Sequence, residues 1–269
     1  MQIYQFEITS ICNLSCDYCP QKDLKRPKQH MSRELFDRVI EYPFMFNIAC
    51  GHHFGEPLLH PELLYMAKKC RDKGLLFGFS TNAEILTLKK LNDLIKAGLS
   101  WIKISFHSEY SKKIYREIKQ EYPALPLLSS ELNELHDWAG QVDIDGIASA
   151  GPVPRASKGR LSNPSKKKTI RDTETNDELT DRNDCIFHRE NFGVIDSRGR
   201  ILACCIDAHG IGDMGTVYDL TKADFVKMEN NLYFELCKEC PMKEMDVDEE
   251  INFYKKIAKD AENFLTFHS

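Results

Sequence analysis

Along the first half of the chain the apolar positions keep changing period, from two to about three and a half. Tyr4, Phe6 and Ile8 alternate as one face of a strand does, and a cysteine-bearing loop follows directly. Ser32, a good N-cap, precedes Leu35, Phe36, Val39 and Ile40 at helical spacing. A buried strand is expected over 44–50, then a helix opened by Pro61 and stopped by Gly74, then a strand over 75–80. Thr87 caps a further helix through Leu88, Leu91, Leu94 and Ile95, and Gly98 ends it. A strand over 101–107 and a short helix over 111–119 follow. Pro123 and Pro126 blur a strand near 125–129, after which 130–138 reads as helix and 142–148 as strand. Such repetition predicts an α/β fold, a parallel sheet flanked by helices, doubly wound or barrel-like. Ligands of these sheets bind beyond the C-terminal strand ends, so the chemistry belongs in the loops after strands.

The alternation stops at 155–184. Seven basic and no acidic residues fill 155–171, and 172–184 is mostly acidic. This stretch reads as a solvated, self-neutralising linker, or else as a lid over the barrel mouth that contacts an anionic substrate. A small cysteine-bearing module follows over 185–247. Ile251, Tyr254, Ile257, Ala258, Ala261, Phe264 and Leu265 then make one face of a closing amphipathic helix in 248–269, packed on its own domain. The expected division is a barrel over 1–154, the charged stretch, the module and the helix.

Composition narrows the class. The 269 residues suffice for one barrel-sized domain with a small appendage. A net charge of −5 offers no basic surface for nucleic acid. No apolar run approaches the roughly 20 residues that span a bilayer, and the N-terminus lacks the pattern of a signal peptide. A cytoplasmic protein is expected, with no nucleic-acid or membrane partner. Ten cysteines in that compartment point to metal or chemistry rather than disulfides. Cys70 and Cys50 read as core.

Cys12, Cys16 and Cys19 put three thiols on one tight loop after a strand. Soft thiolates suit zinc or an iron–sulfur cluster. Three ligands on a four-iron cube leave one iron open, whereas a structural zinc site wants a fourth ligand. Asp17 faces elsewhere, and His30 is a lone loop histidine.

On these residues the chain resembles the radical S-adenosylmethionine (SAM) superfamily. Its CxxxCxΦC pattern, with Φ aromatic, is met by Cys12, Cys16, Tyr18 and Cys19, and Asn13 is typical of it. Gly55-Glu56-Pro57 follows the second strand, where that family binds the SAM amino group; Phe54 replaces the usual first glycine. Ser80-Thr81-Asn82 follows the third strand, where the family holds the ribose and carboxylate. The resemblance implies a partial (β/α) TIM-like barrel with a 4Fe–4S cluster on the three cysteines. It implies that SAM contacts Tyr18, Gly55, Glu56, Pro57, Ser80, Thr81 and Asn82. It further implies reductive cleavage of SAM to a 5′-deoxyadenosyl radical, with a flavodoxin- or ferredoxin-type electron donor.

Cys185, then Gly199-x4-Cys204, then Cys237-x2-Cys240 resembles the family's Twitch module, the shortened SPASM domain, and 212–217 resembles its connector. The resemblance implies a second, auxiliary 4Fe–4S cluster ligated by all four cysteines. In isolation the same thiols would suit a zinc ribbon.

Within the family the chain resembles radical dehydrogenases of the 2-deoxy-scyllo-inosamine dehydrogenase type, through the stretch Phe54-Gly55-Glu56-Pro57-Leu58-Leu59. That implies hydrogen abstraction from a carbinol carbon of an alcohol or sugar-like small molecule, the auxiliary cluster accepting the second electron. His52, His53 and His107 are the expected bases, since histidine titrates near neutral pH. Such dehydrogenases hold substrate through an arginine after the last barrel strand; Arg155 is the nearest match, displaced. The competing reading is a peptide substrate, modified by an epimerase or cross-linking maturase, with Cys205 as hydrogen donor. The 11 residues before Cys12 leave no room for a leader-peptide domain, which counts mildly against it. A non-enzymatic zinc or iron–sulfur module is the remaining alternative.

Overall fold

The computed structural model describes residues 1–16, 19–131, 185–210, 212–230 and 246–268. Tyr18, Arg155, Cys237, Cys240, the charged stretch 155–184 and the expected strand at 142–148 lie outside them. So does the helix expected at 130–138 beyond residue 131.

β1 (Gln2–Phe6) leads through the cysteine loop to α1 (Arg33–Val39), whose cap is the expected one: Ser32 Oγ accepts from Leu35 N. β2 (Ile48–Cys50), α2 (Leu63–Asp72), β3 (Leu76–Thr81), α3 (Leu88–Ala97), β4 (Leu99–Phe106), α4 (Glu109–Glu121) and β5 (Leu127–Glu131) then alternate. β2, β3, β4 and β5 pair in that order, all parallel. After α5 (Ile186–Arg189), the strand β6 (Phe192–Ile195) pairs in parallel with β1. β7 (Arg200–Leu202) and β8 (Asp213–Thr216) extend that second sheet antiparallel. α6 (Lys222–Lys227) and the long α7 (Val247–His268) complete the chain. An isolated parallel bridge between Ile3 and Phe44 links β1 to the segment just ahead of β2. The cysteine-bearing module is therefore hydrogen-bonded to the first strand of the chain.

Three local expectations need correction. The strand predicted over 44–50 begins only at Ile48, because Met45–Asn47 form a tight 3-10 turn with Phe46 and Asn47 at φ 49° and 58°. The apolar Met45 and Phe46 there serve packing against the C-terminal module, not a strand. Pro61 does not open α2. A 3-10 turn at Pro57–Leu59 precedes it, and the helix starts at Leu63. α4 starts at Glu109 rather than 111 because Ser108 accepts from Tyr110 N and Ser111 N, making a capping box.

Strand alternation sorts the two faces of the parallel sheet. Phe77, Phe79, Ile102, Ile104 and Phe106 pack outward under α1–α4 in the main core. Ser80, Trp101, Lys103, Ser105 and His107 line the inner face. α7 closes the end of the sheet where the strands begin: Ile257, Ala258 and Ala261 pack on Ile48, Leu76 and Trp101. No helix among the described residues is long and apolar enough to cross a membrane.

Candidate active site

Three loops converge where the parallel strands end. The cysteine loop follows β1, the Gly55-Glu56-Pro57 loop follows β2, and Asn82 follows β3. Cys12, Cys16, Cys19, Gly55, Glu56, Ser80, Thr81 and Asn82 all line one cavity. Glu56 is the hinge between them. Its Oε1 accepts from Leu58 N at 3.0 Å and from Thr81 Oγ1 at 2.7 Å, and its Oε2 accepts from Asn82 N at 2.8 Å. Asn82 Nδ2 in turn donates to Asn13 Oδ1 at 2.8 Å, inside the cysteine loop. Pro57 is buried at the start of its 3-10 turn. Burial pushes the Glu56 carboxyl above its ordinary range, against the lowering effect of those hydrogen bonds.

Gly55 allows the first two loops to touch. Its φ is +96°, and a Cβ there would stand 2.4 Å from Thr9 O. Glu56 N donates to Ile11 O at 2.8 Å alongside.

The donor set suits an iron–sulfur cluster with one open iron. Cys12, Cys16 and Cys19 are half-buried thiols, none in a disulfide, and all three line one cavity. Among the described residues no three metal-binding side chains stand close enough together to hold a single ion. Cys185 and Cys204 both pack against a second apolar cluster, beside Tyr4, Phe187 and Cys205.

The three histidines fall in different surroundings. His52 lines the cavity, and burial pulls it down to about 3. His53 is equally depressed, but its Nε2 donates to Cys205 O at 2.8 Å and ties the loop after β2 to the cysteine module. His107 lines the same cavity as His52 and His53, with its Nδ1 3.7 Å from Cys16 Sγ in the cysteine loop. Cys205 is 2% exposed within the second apolar cluster and is not among the residues lining the cavity. Cys70 is core, as expected, whereas Cys50 lines the cavity.

Several residues of the site carry no motif. Glu7 is fully buried and accepts from Arg26 through both carboxylate oxygens at 2.6 Å, from Phe54 N at 3.2 Å and from Ser197 N at 3.1 Å. It fixes the loops after β1, β2 and β6 to one another. Lys103, Gln5 and Tyr254 line the cavity below the motif loops. Tyr254 on α7 shares a 2.5 Å hydrogen bond with Tyr4 on β1. Tyr254 stood on the packed face of the closing amphipathic helix, and Lys103 had a signal in the alternation of Trp101, Lys103, Ser105 and His107 on one strand face.

Residues 6–124 match the radical SAM superfamily. Over 109 residues the chain is 30% identical to the tungsten-containing aldehyde ferredoxin oxidoreductase cofactor-modifying protein of Pyrococcus furiosus, covering 39% of this chain and 30% of that protein. Over 102 residues it is 31% identical to the PqqA peptide cyclase of Bradyrhizobium diazoefficiens, covering 37% of this chain and 27% of that one. The chain thus spans less than a third of these curated relatives. Among solved structures it is similar to BtrN in complex with AdoMet and 2-DOIA, with a TM-score of 0.60 at 18% identity, over 86% of this chain and 83% of that one. The fold and the three convergent loops agree with the match of residues 6–124 to the radical SAM superfamily.

Proposed function

We propose that this protein is an oxidoreductase-type radical SAM enzyme acting on an alcohol or sugar-like small molecule in the cytoplasm. Cys12, Cys16 and Cys19 hold the first 4Fe–4S cluster, and Cys185, Cys204, Cys237 and Cys240 hold an auxiliary one. Reduced by a flavodoxin- or ferredoxin-type donor, the first cluster supplies the electron that splits SAM into methionine and a 5′-deoxyadenosyl radical, which takes a hydrogen atom from substrate. The observation that carries this reading is Glu56: its carboxylate accepts from Thr81 and Asn82 and its N–H donates to Ile11 O, which ties all three motif loops around one cavity.

The protein's own part is positioning. Glu56 accepts from the SAM ammonium, with Tyr18, Gly55, Pro57, Ser80, Thr81 and Asn82 as its neighbours there. His52 is neutral at physiological pH and offers a ring nitrogen to a substrate hydroxyl. Arg155 is assigned to substrate. The burial of Cys205 in an apolar cluster supports this reading over peptide epimerisation, which needs that thiol at the substrate.

Anaerobically reconstituted protein with dithionite should turn SAM into 5′-deoxyadenosine, and Cys16→Ala should drop the yield to background. Deuterium from a carbinol carbon should appear in that product. A colourless protein that binds zinc and lacks labile sulfide overturns the reading.

A further inference from the structure

Below the motif loops the cavity contains two polar side chains that the reading above does not use. Lys103 lies on β4 four residues before His107, about 13 Å at the rise of a parallel strand. It is 6% exposed and opens into the cavity. Among the described residues no carboxylate pairs with it and no acceptor takes a hydrogen bond from it. Its charge is felt by Cys50 and His52. Gln5, on β1, is 7% exposed, lines the same cavity, and has its Nε2 buried without a partner.

Lys103 thus puts a cation on the cavity wall, and the Gln5 amide N–H, buried without an acceptor, costs free energy. Two of them facing one cavity make an incomplete set of donors, and a bound ligand is what completes it. The walls around them are apolar: Ile48, Trp101, Leu128 and Ile257.

The geometry points to a substrate that carries one carboxylate on an apolar body, accepting hydrogen bonds from Lys103 Nζ and Gln5 Nε2. One ammonium beside a neutral amide balances one negative charge, whereas a phosphate dianion would bury charge without compensation. An amine-bearing substrate would meet Lys103 as a like charge, so the aminocyclitol class is disfavoured. This inference rests on the proposed function and adds a carboxylate to its alcohol.

Reconstituted holoenzyme is titrated calorimetrically, with SAM present, using 3-phenylpropionate, its neutral amide and phenethyl phosphate. The carboxylate should bind at least tenfold tighter than the other two. Lys103→Met should abolish that preference, and Gln5→Leu should weaken carboxylate binding several-fold. Lys103→Gln replaces the methionine variant should that one fail to fold. Absent binding, equal affinity for acid and amide, a preference for the phosphate, or a preference that survives both lysine variants overturns the proposal. SAM is itself a carboxylate, so the lysine variant is also titrated with SAM alone. A tenfold loss there assigns Lys103 to SAM and overturns the proposal. If the unmodified protein never cleaves SAM, the proposed function fails while the titrations still decide the binding site.

Discussion

Glu7 has no exposed surface, yet four hydrogen bonds end on it. Removing one partner of a buried ion pair leaves the other charge uncompensated. Glu7→Gln should therefore cost about 3–5 kcal/mol, read as a lower midpoint in urea unfolding. The double variant Glu7→Leu with Arg26→Met should cost less than the two single variants added. His52 and His53 give a second handle. Burial takes both from 6.5 to about 3 in the folded chain, so between those values the unfolded chain binds more protons. The stability they contribute is present above pH 6.5 and is lost as the pH falls towards 3. Thermal midpoints should fall through that window, and His53→Gln should flatten the slope. The cysteines, Glu56 and Asn82 were legible because fixed spacings bring them together. Glu7 and Arg26 were not, since a charged pair 19 residues apart leaves no local pattern.

Helices declared themselves through their ends. Ser32, Thr87 and Gly98 act in the structure as they read in the sequence. Where the reading slipped, a second use of apolar residues was responsible. Met45 and Phe46 are hydrophobic because they pack on the C-terminal module, and the left-handed turn beneath them has no glycine to announce it. Ser108 is hard to see as a cap because the first turn it opens carries Tyr110, an exposed aromatic ring. Loop docking is testable at Gly55. Gly55→Ala puts a methyl group against Thr9 O at a positive φ. The strain, on the order of 1–3 kcal/mol, falls where Glu56 meets the cysteine loop. Formation of 5′-deoxyadenosine should drop at least tenfold while far-ultraviolet circular dichroism stays native.

At the scale of the molecule, α7 is the floor of the cavity. Ala261 is fully buried against the strand starts, so Ala261→Asp buries a carboxylate with no room and no partner. The thermal midpoint should fall by more than any surface substitution produces, and truncation ahead of Val247 should leave little folded protein. The barrel half was legible because β–α units are local. The joining of β1 to β6 was not, because strand pairing across so much intervening chain leaves no trace in periodicity. That pairing also sets a clock. A ribosome adding about 5–20 residues per second makes β1 wait on the order of 10–40 s before β6 exists. Throughout that interval the first strand keeps an open edge on the side that β6 will take. Nascent protein is therefore exposed to edge-to-edge aggregation until its last third is made.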